Sequence, residues 1–146
     1  MAPIGATSGP TATDGGRRAD VELRVPADRA YASVLRTTTA GLAARLDFPI
    51  DDIEDLRIAV GEACAMVLEE AEPGTDLVCG FFQGPGELTV SVSGKVDGAI
   101  EPDYDSFAWQ VLTTLATSAS AEASDSTFTI ALSMTSSVAI HQEPGL

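Results

Sequence analysis

The chain has 146 residues, 45% of them apolar, and a formal net charge of −14. That length suits one domain with its own core, and the acidity excludes direct nucleic-acid binding, because phosphate repels such a surface, while favouring a basic protein partner. Two cysteines, one histidine and no membrane-length apolar run exclude a disulfide framework, a Cys/His metal site and a transmembrane span, and point to a cytoplasmic protein away from membranes.

Residues 1–18 are rich in Gly, Ala, Thr and Pro and read as a disordered tail. Val21, Leu23 and Val25 alternate with Glu22 and Arg24, which predicts a half-buried strand ended by Pro26. From Asp28, a capping residue, the pattern predicts a helix to about Leu46 with Tyr31, Val34, Leu35, Leu42 and Leu46 as its apolar positions. Arg29, Arg36 and Arg45 lie on it, three of the eight cations in the chain, and suggest a contact surface for an acidic group on a partner.

After Phe48-Pro49 comes the most periodic stretch, Asp51 to Glu70. Asp51 and Glu54 suit its first turn, and Pro73-Gly74 stop it. At about 100° per residue, Ile53, Leu56, Val60, Ala63, Cys64 and Val67 form one stripe that should face a core. A single carboxylate, Glu62, sits among Ile58, Ala65 and Met66 on the other side, placed to snorkel or to serve a site. Glu69, Glu70 and Glu72 crowd the end of this helix, against its dipole.

Leu77, Cys79 and Phe81 alternate, Gly84-Pro85-Gly86 turns, and Leu88, Val90 and Val92 return, which predicts a hairpin. Gly94 to Asp105 reads as a loop carrying Asp97, Glu101, Asp103 and Asp105. Ser106 can cap a short helix with Phe107, Val111, Leu112 and Leu115, and Trp109 reads as a packing or rim residue. Ala119 to Ala123 and Thr127 to Met134 complete the strands, and residues 137–146 read as a second tail. The order β-α-α-β-β-α-β-β predicts an α+β two-layer sandwich: a mixed, mostly antiparallel sheet with helices on one face, spanning 19–136.

The run Asp55-Leu56-Arg57-Ile58-Ala59-Val60-Gly61-Glu62-Ala63-Cys64 resembles the central helix of bacterial anti-sigma factor serine kinases, which belong to the histidine-kinase-like (GHKL, Bergerat-fold) ATPases. Val34-Leu35-Arg36, Leu42 to Leu46 and the run from Ser106 to Ala116 are similar to the family's neighbouring helices, in the manner of its actinobacterial branch, and the likeness covers about residues 20–136. In that family the helix carries a glutamate, the general base, and four residues on an asparagine whose oxygen helps hold Mg²⁺. The glutamate matches Glu62, whereas the asparagine position is Met66, whose thioether cannot replace a hard oxygen ligand. Of the family's Asp-x-Gly-x-Gly adenine motif, Gly94 matches and Asp97-Gly98 is a shifted fragment. The glycine-rich phosphate lid has no counterpart, since no glycine lies between Gly98 and Trp109.

The resemblance therefore implies an anti-sigma factor, a homodimer that sequesters an alternative sigma factor and is released by a STAS-type anti-anti-sigma protein. Arg36, with Arg29 and Arg45, would meet the partner. Glu62 would be a vestigial base, no metal site would remain, and no cofactor would be needed. The alternative it implies is an active serine kinase that phosphorylates the STAS protein, with Glu62 as base, Mg-ATP as cofactor, and Gly94, Asp97 and Gly98 at the nucleotide.

Overall fold

The computed structural model describes residues 12–14 and 16–138. Two short strands, β1 (Thr13–Asp14) and β2 (Arg17–Arg18), pair antiparallel and precede β3 (Val21–Pro26). Asp28 then accepts a hydrogen bond from the Ala30 amide at 2.8 Å and starts a 3-10 turn, Arg29–Tyr31, leading into α1 (Ala32–Arg45). Asp47 in the left-handed region (φ 62) and the extended Pro49 reverse the chain into α2 (Ile50–Glu70). There follow β4 (Asp76–Gly84), β5 (Glu87–Lys95), α3 (Phe107–Leu115), β6 (Ser118–Ser124) and β7 (Thr127–Thr135).

The five longer strands form one sheet in the order β3-β4-β5-β7-β6, and every pairing is antiparallel. The mixed, mostly antiparallel sheet anticipated from the sequence is wholly antiparallel: β4–β5 and β6–β7 are hairpins, β7 runs back beside β5, and the α1–α2 connection returns the chain beside β3 in the opposite direction. Register aligns the apolar alternation of separate strands into rows. Leu23, Cys79, Val92, Ile130 and Ala121 make one row, and Val21, Phe81, Val90, Leu132 and Ala119 the next. Cys79, Val92, Ile130, Phe81 and Val90 are fully buried, so this face is the inner one.

The helices cover that face. A Cβ built on Gly94 would lie 2.8 Å from Val67 Cγ1, which puts α2 directly on β5. α1 and α3 each pack on α2, which lies between them. Ile53, Leu56, Val60, Ala63, Cys64 and Val67 are all buried, as their spacing predicts, and Ala59 and Met66 widen the stripe. No side chain caps α2; Pro49 takes the N-cap position, and Asp51 and Asp52 in the first turn complement the dipole. Asp52 also accepts from the Ser137 amide (2.8 Å) and hydroxyl (3.0 Å), tying the end of the described chain to α2.

Elsewhere the local pattern misleads. In α1 the buried positions are Leu35, Thr39 and Ala43, while Tyr31 and Val34 are exposed. Thr39 tolerates burial because its hydroxyl donates to the Leu35 carbonyl at 2.7 Å. In α3 only Leu112 is buried, and Phe107 is 79% exposed. Of the expected N-terminal tail, residues 16–18 and 12–14 form the β1–β2 ribbon. It is held by Arg17, which pairs with Asp20 at 2.6 Å and donates to the Gln83 carbonyl. Of the expected C-terminal tail all but 137 and 138 lies outside the described residues, His141 included.

Candidate functional site

Glu62 is half-buried at the margin of the α2 stripe. Met66, one turn further on, shares its side of the helix and is buried, 8% exposed. The position where the resembling family places a metal-binding amide therefore holds a thioether that belongs to the core. No group of three His, Cys, Asp or Glu side chains among the described residues is placed to hold a metal ion.

Gly94 lies on the inner face of β5, and its missing side chain is filled by α2. Val67 Cγ1, Leu77 Cδ2 and Ala71 Cβ would stand 2.8, 3.3 and 3.4 Å from a Cβ there. Asp97 and Gly98 follow the end of β5 and are exposed. Gly98 adopts φ +87, a conformation that favours glycine. Val96 bridges to Ala71 just past α2, so Asp97 sits by the far end of that helix, about 14 Å along the axis from Glu62 at about 1.5 Å per residue. Glu62 and the Asp97-Gly98 pair are thus not brought into one cluster.

Gly98 lines a cavity of about 200 Å³ together with Val96, Ala99, Ile100 and the Asp125-Ser126 turn. That is below the roughly 300 Å³ at which pockets for drug-sized ligands begin. A larger groove, about 770 Å³, is lined by Arg24, Lys95 and the hydroxyls of Ser91, Ser93 and Thr129. These residues alternate with the inner rows, so the groove opens on the sheet face away from the helices and from Glu62.

The three arginines are also separated. Arg36 is half-buried and lies across α2 at Gly61, where a Cβ would be 3.5 Å from its Cδ. Arg45 is nine residues on, half a revolution round α1, and Arg29 lies in the 3-10 turn; both are exposed. No carboxylate pairs with Arg36 among the described residues. Its charge acts on the Cys64 thiol beneath, where burial raises the pKa and the guanidinium partly opposes the rise. Cys79 is pushed up to about 12, first by burial and then by Cys64. Both thiols are free and buried, as anticipated, and neither is a nucleophile at neutral pH.

What the sequence did not single out is Gly61 as the seat of Arg36, and the exposed aromatics Tyr104 and Phe107. The first depends on helix pairing. The second could be suspected only from a nine-residue helix more apolar than one face can bury.

No protein-family model matches the chain. It is 43% identical over 81 residues to the serine-protein kinase RsbW of Bacillus cereus strain B4264, a stretch covering 56% of this chain and 44% of that protein. The serine-protein kinase RsbW of Bacillus thuringiensis strain Al Hakam is 36% identical over 78 residues, 51% of this chain and 49% of that one. The chain thus matches about half the length of these curated relatives. Among solved structures, the RsbU and RsbW domains of Rv1364c from Mycobacterium tuberculosis superpose with a TM-score of 0.59 at 16% identity, over 82% of this chain and 34% of that chain. Over about half of its length the chain is thus similar in sequence to RsbW serine-protein kinases, and it shares the α+β fold of the structure that holds the RsbU and RsbW domains, in agreement with the resemblance carried by α2.

Proposed function

We propose that the chain acts as an anti-sigma factor, a cytoplasmic homodimer that sequesters an alternative sigma factor until a STAS-type partner competes it away, and that nucleotide chemistry has been lost. The observation that carries the loss is Met66. It is packed in the core at the position where the family's Mg²⁺ ligand stands, and a buried thioether neither binds a hard cation nor leaves room for its waters. The remaining residues do not fit Mg-ATP either. Gly94 is occupied by Val67 instead of approaching a nucleotide, and the segment from Ala99 to Ser106 has no glycine to wrap a phosphate. Glu62 stays as an unused carboxylate, and Asp97 and Gly98 remain as a turn.

The binding role rests on the kinship to RsbW and on Arg36. A half-buried guanidinium with no carboxylate paired to it among the described residues offers its fork to one on a partner. Arg29 and Arg45, exposed elsewhere on the same segment, would add steering more than affinity. The test is a pull-down from native cytoplasm with identification of the partner by mass, paired with a thermal-shift titration in millimolar Mg-ATP. Recovery of a sigma factor with no shift is the expected outcome. Mg-ATP at 100 times its dissociation constant would add about 2.7 kcal/mol; a shift of that size would restore the kinase reading that the relatives' names suggest.

A further inference from the structure

Phe107 is the most exposed of the large apolar side chains among the described residues, at 79%, on the first turn of α3. Tyr104, 54% exposed, stands beside that turn, with its ring edge-on to Trp109 at 5.1 Å between centroids and 73° between planes. α3 buries only Leu112 fully, so an apolar helix is left incompletely covered. Phe107 stands about 200° round α3 from Trp109, the residue on which Tyr104 packs, so the two exposed aromatics flank the start of the helix on different sides, and exposed apolar side chains of this size are the material of interaction surfaces. The carboxylates around them define what it fits. Asp97, Glu101, Asp103 and Asp105 are all exposed, and none forms an ion pair among the described residues. The chain has no lysine or arginine after Lys95, so no local cation neutralises them.

We propose that the segment 97–107 and the first turn of α3 form a docking surface for a cationic amphipathic segment of another protein. Its apolar anchor packs on Phe107, and its lysines or arginines face the four carboxylates. Charge excludes the other occupants. A second copy docked through this face would set the same four carboxylates against one another, which leaves dimerisation through other faces open, and an anionic lipid surface or a nucleic acid would be repelled. The surface lies on α3, across α2 from Arg36, and does not depend on the anti-sigma reading.

The test uses the full chain and a synthetic helical peptide of leucine and lysine, with a leucine and glutamate peptide of the same pattern as its counterpart. Trp109, the one tryptophan, reports from the same helix through its contact with Tyr104. The expected result is saturable one-to-one binding of the lysine peptide alone, weakened at least about tenfold by Phe107→Ser. The pair Asp103→Asn and Asp105→Asn should weaken it and flatten its salt dependence. Ile58→Ser, at an exposed apolar position on α2, should leave it unchanged. Circular dichroism of each variant confirms the fold. Absence of saturable binding, indifference to Phe107→Ser, equal loss in Ile58→Ser, or a dimer that Phe107→Ser dissolves would each overturn the proposal.

Discussion

Gly94→Ala places a methyl carbon 2.8 Å from Val67 Cγ1, closer than real Cβ contacts come, with Leu77 at 3.3 Å and Ala71 at 3.4 Å closing the other directions. Val67 and Leu77 are fully buried, so neither can swing into solvent. Forcing a carbon into such a core costs about 1–3 kcal/mol. The backbone at Gly94 is not left-handed, so alanine also narrows the unfolded ensemble and returns about 0.4–1 kcal/mol. The net expectation is a loss centred on roughly 1.3 kcal/mol, within limits of about 0 and 2.6, read as a lower urea midpoint at unchanged m. Val67→Ala alone removes two carbons at about 0.8 kcal/mol each, before any cavity cost. In the double variant the methyl introduced at position 94 enters the space Val67 vacates, so the two losses should fall short of their sum by about 1 kcal/mol or more. Additivity within about 0.5 kcal/mol, or a neutral Gly94→Ala that instead removes a nucleotide-dependent shift, would show that the glycine serves a ligand and not the helix–sheet contact.

Arg36→Glu should weaken the captured partner at least about tenfold while unfolding stays close to wild type, measured by titration and by urea melt; unchanged affinity would retire Arg36 as a contact. Met66→Asn should not produce phosphate transfer to a STAS protein, assayed with labelled ATP, and should itself destabilise by about 1–3 kcal/mol by burying an amide in an apolar site; transfer by the single variant would refute the lost-chemistry reading. Cys79, raised from 9.0 to about 12, keeps its proton in the fold after the unfolded chain has released it. Its contribution to stability is therefore intact below about pH 9 and falls between about 9 and 12, by about 1.4 kcal/mol per unit. Urea melts of wild type and Cys79→Ala should diverge in slope across that window, and parallel profiles would contradict the burial assigned to the thiol.

Much of this architecture is legible along the chain because its signals are local. The α2 stripe from Ile53 to Val67 needs only a period of 3.6. The alternations Leu77-Cys79-Phe81, Leu88-Val90-Val92 and Phe128-Ile130-Leu132 need only a period of two. Met66 and the missing glycines beyond Gly98 are visible as letters. What tertiary structure alone decided depends on residues far apart in sequence. Thr39 and Ala43, not Val34, face the core because α2 lies on that side of α1. Gly94 answers to Val67, 27 residues earlier in the numbering, because register sets β5 under α2. Arg36 settles over Gly61 because α1 pairs with α2, and Phe107 is left in solvent because α3 carries more apolar residues than its one packed face can cover. Periodicity determines which face of an element is apolar; only the packing partner determines whether that face is covered, and by what.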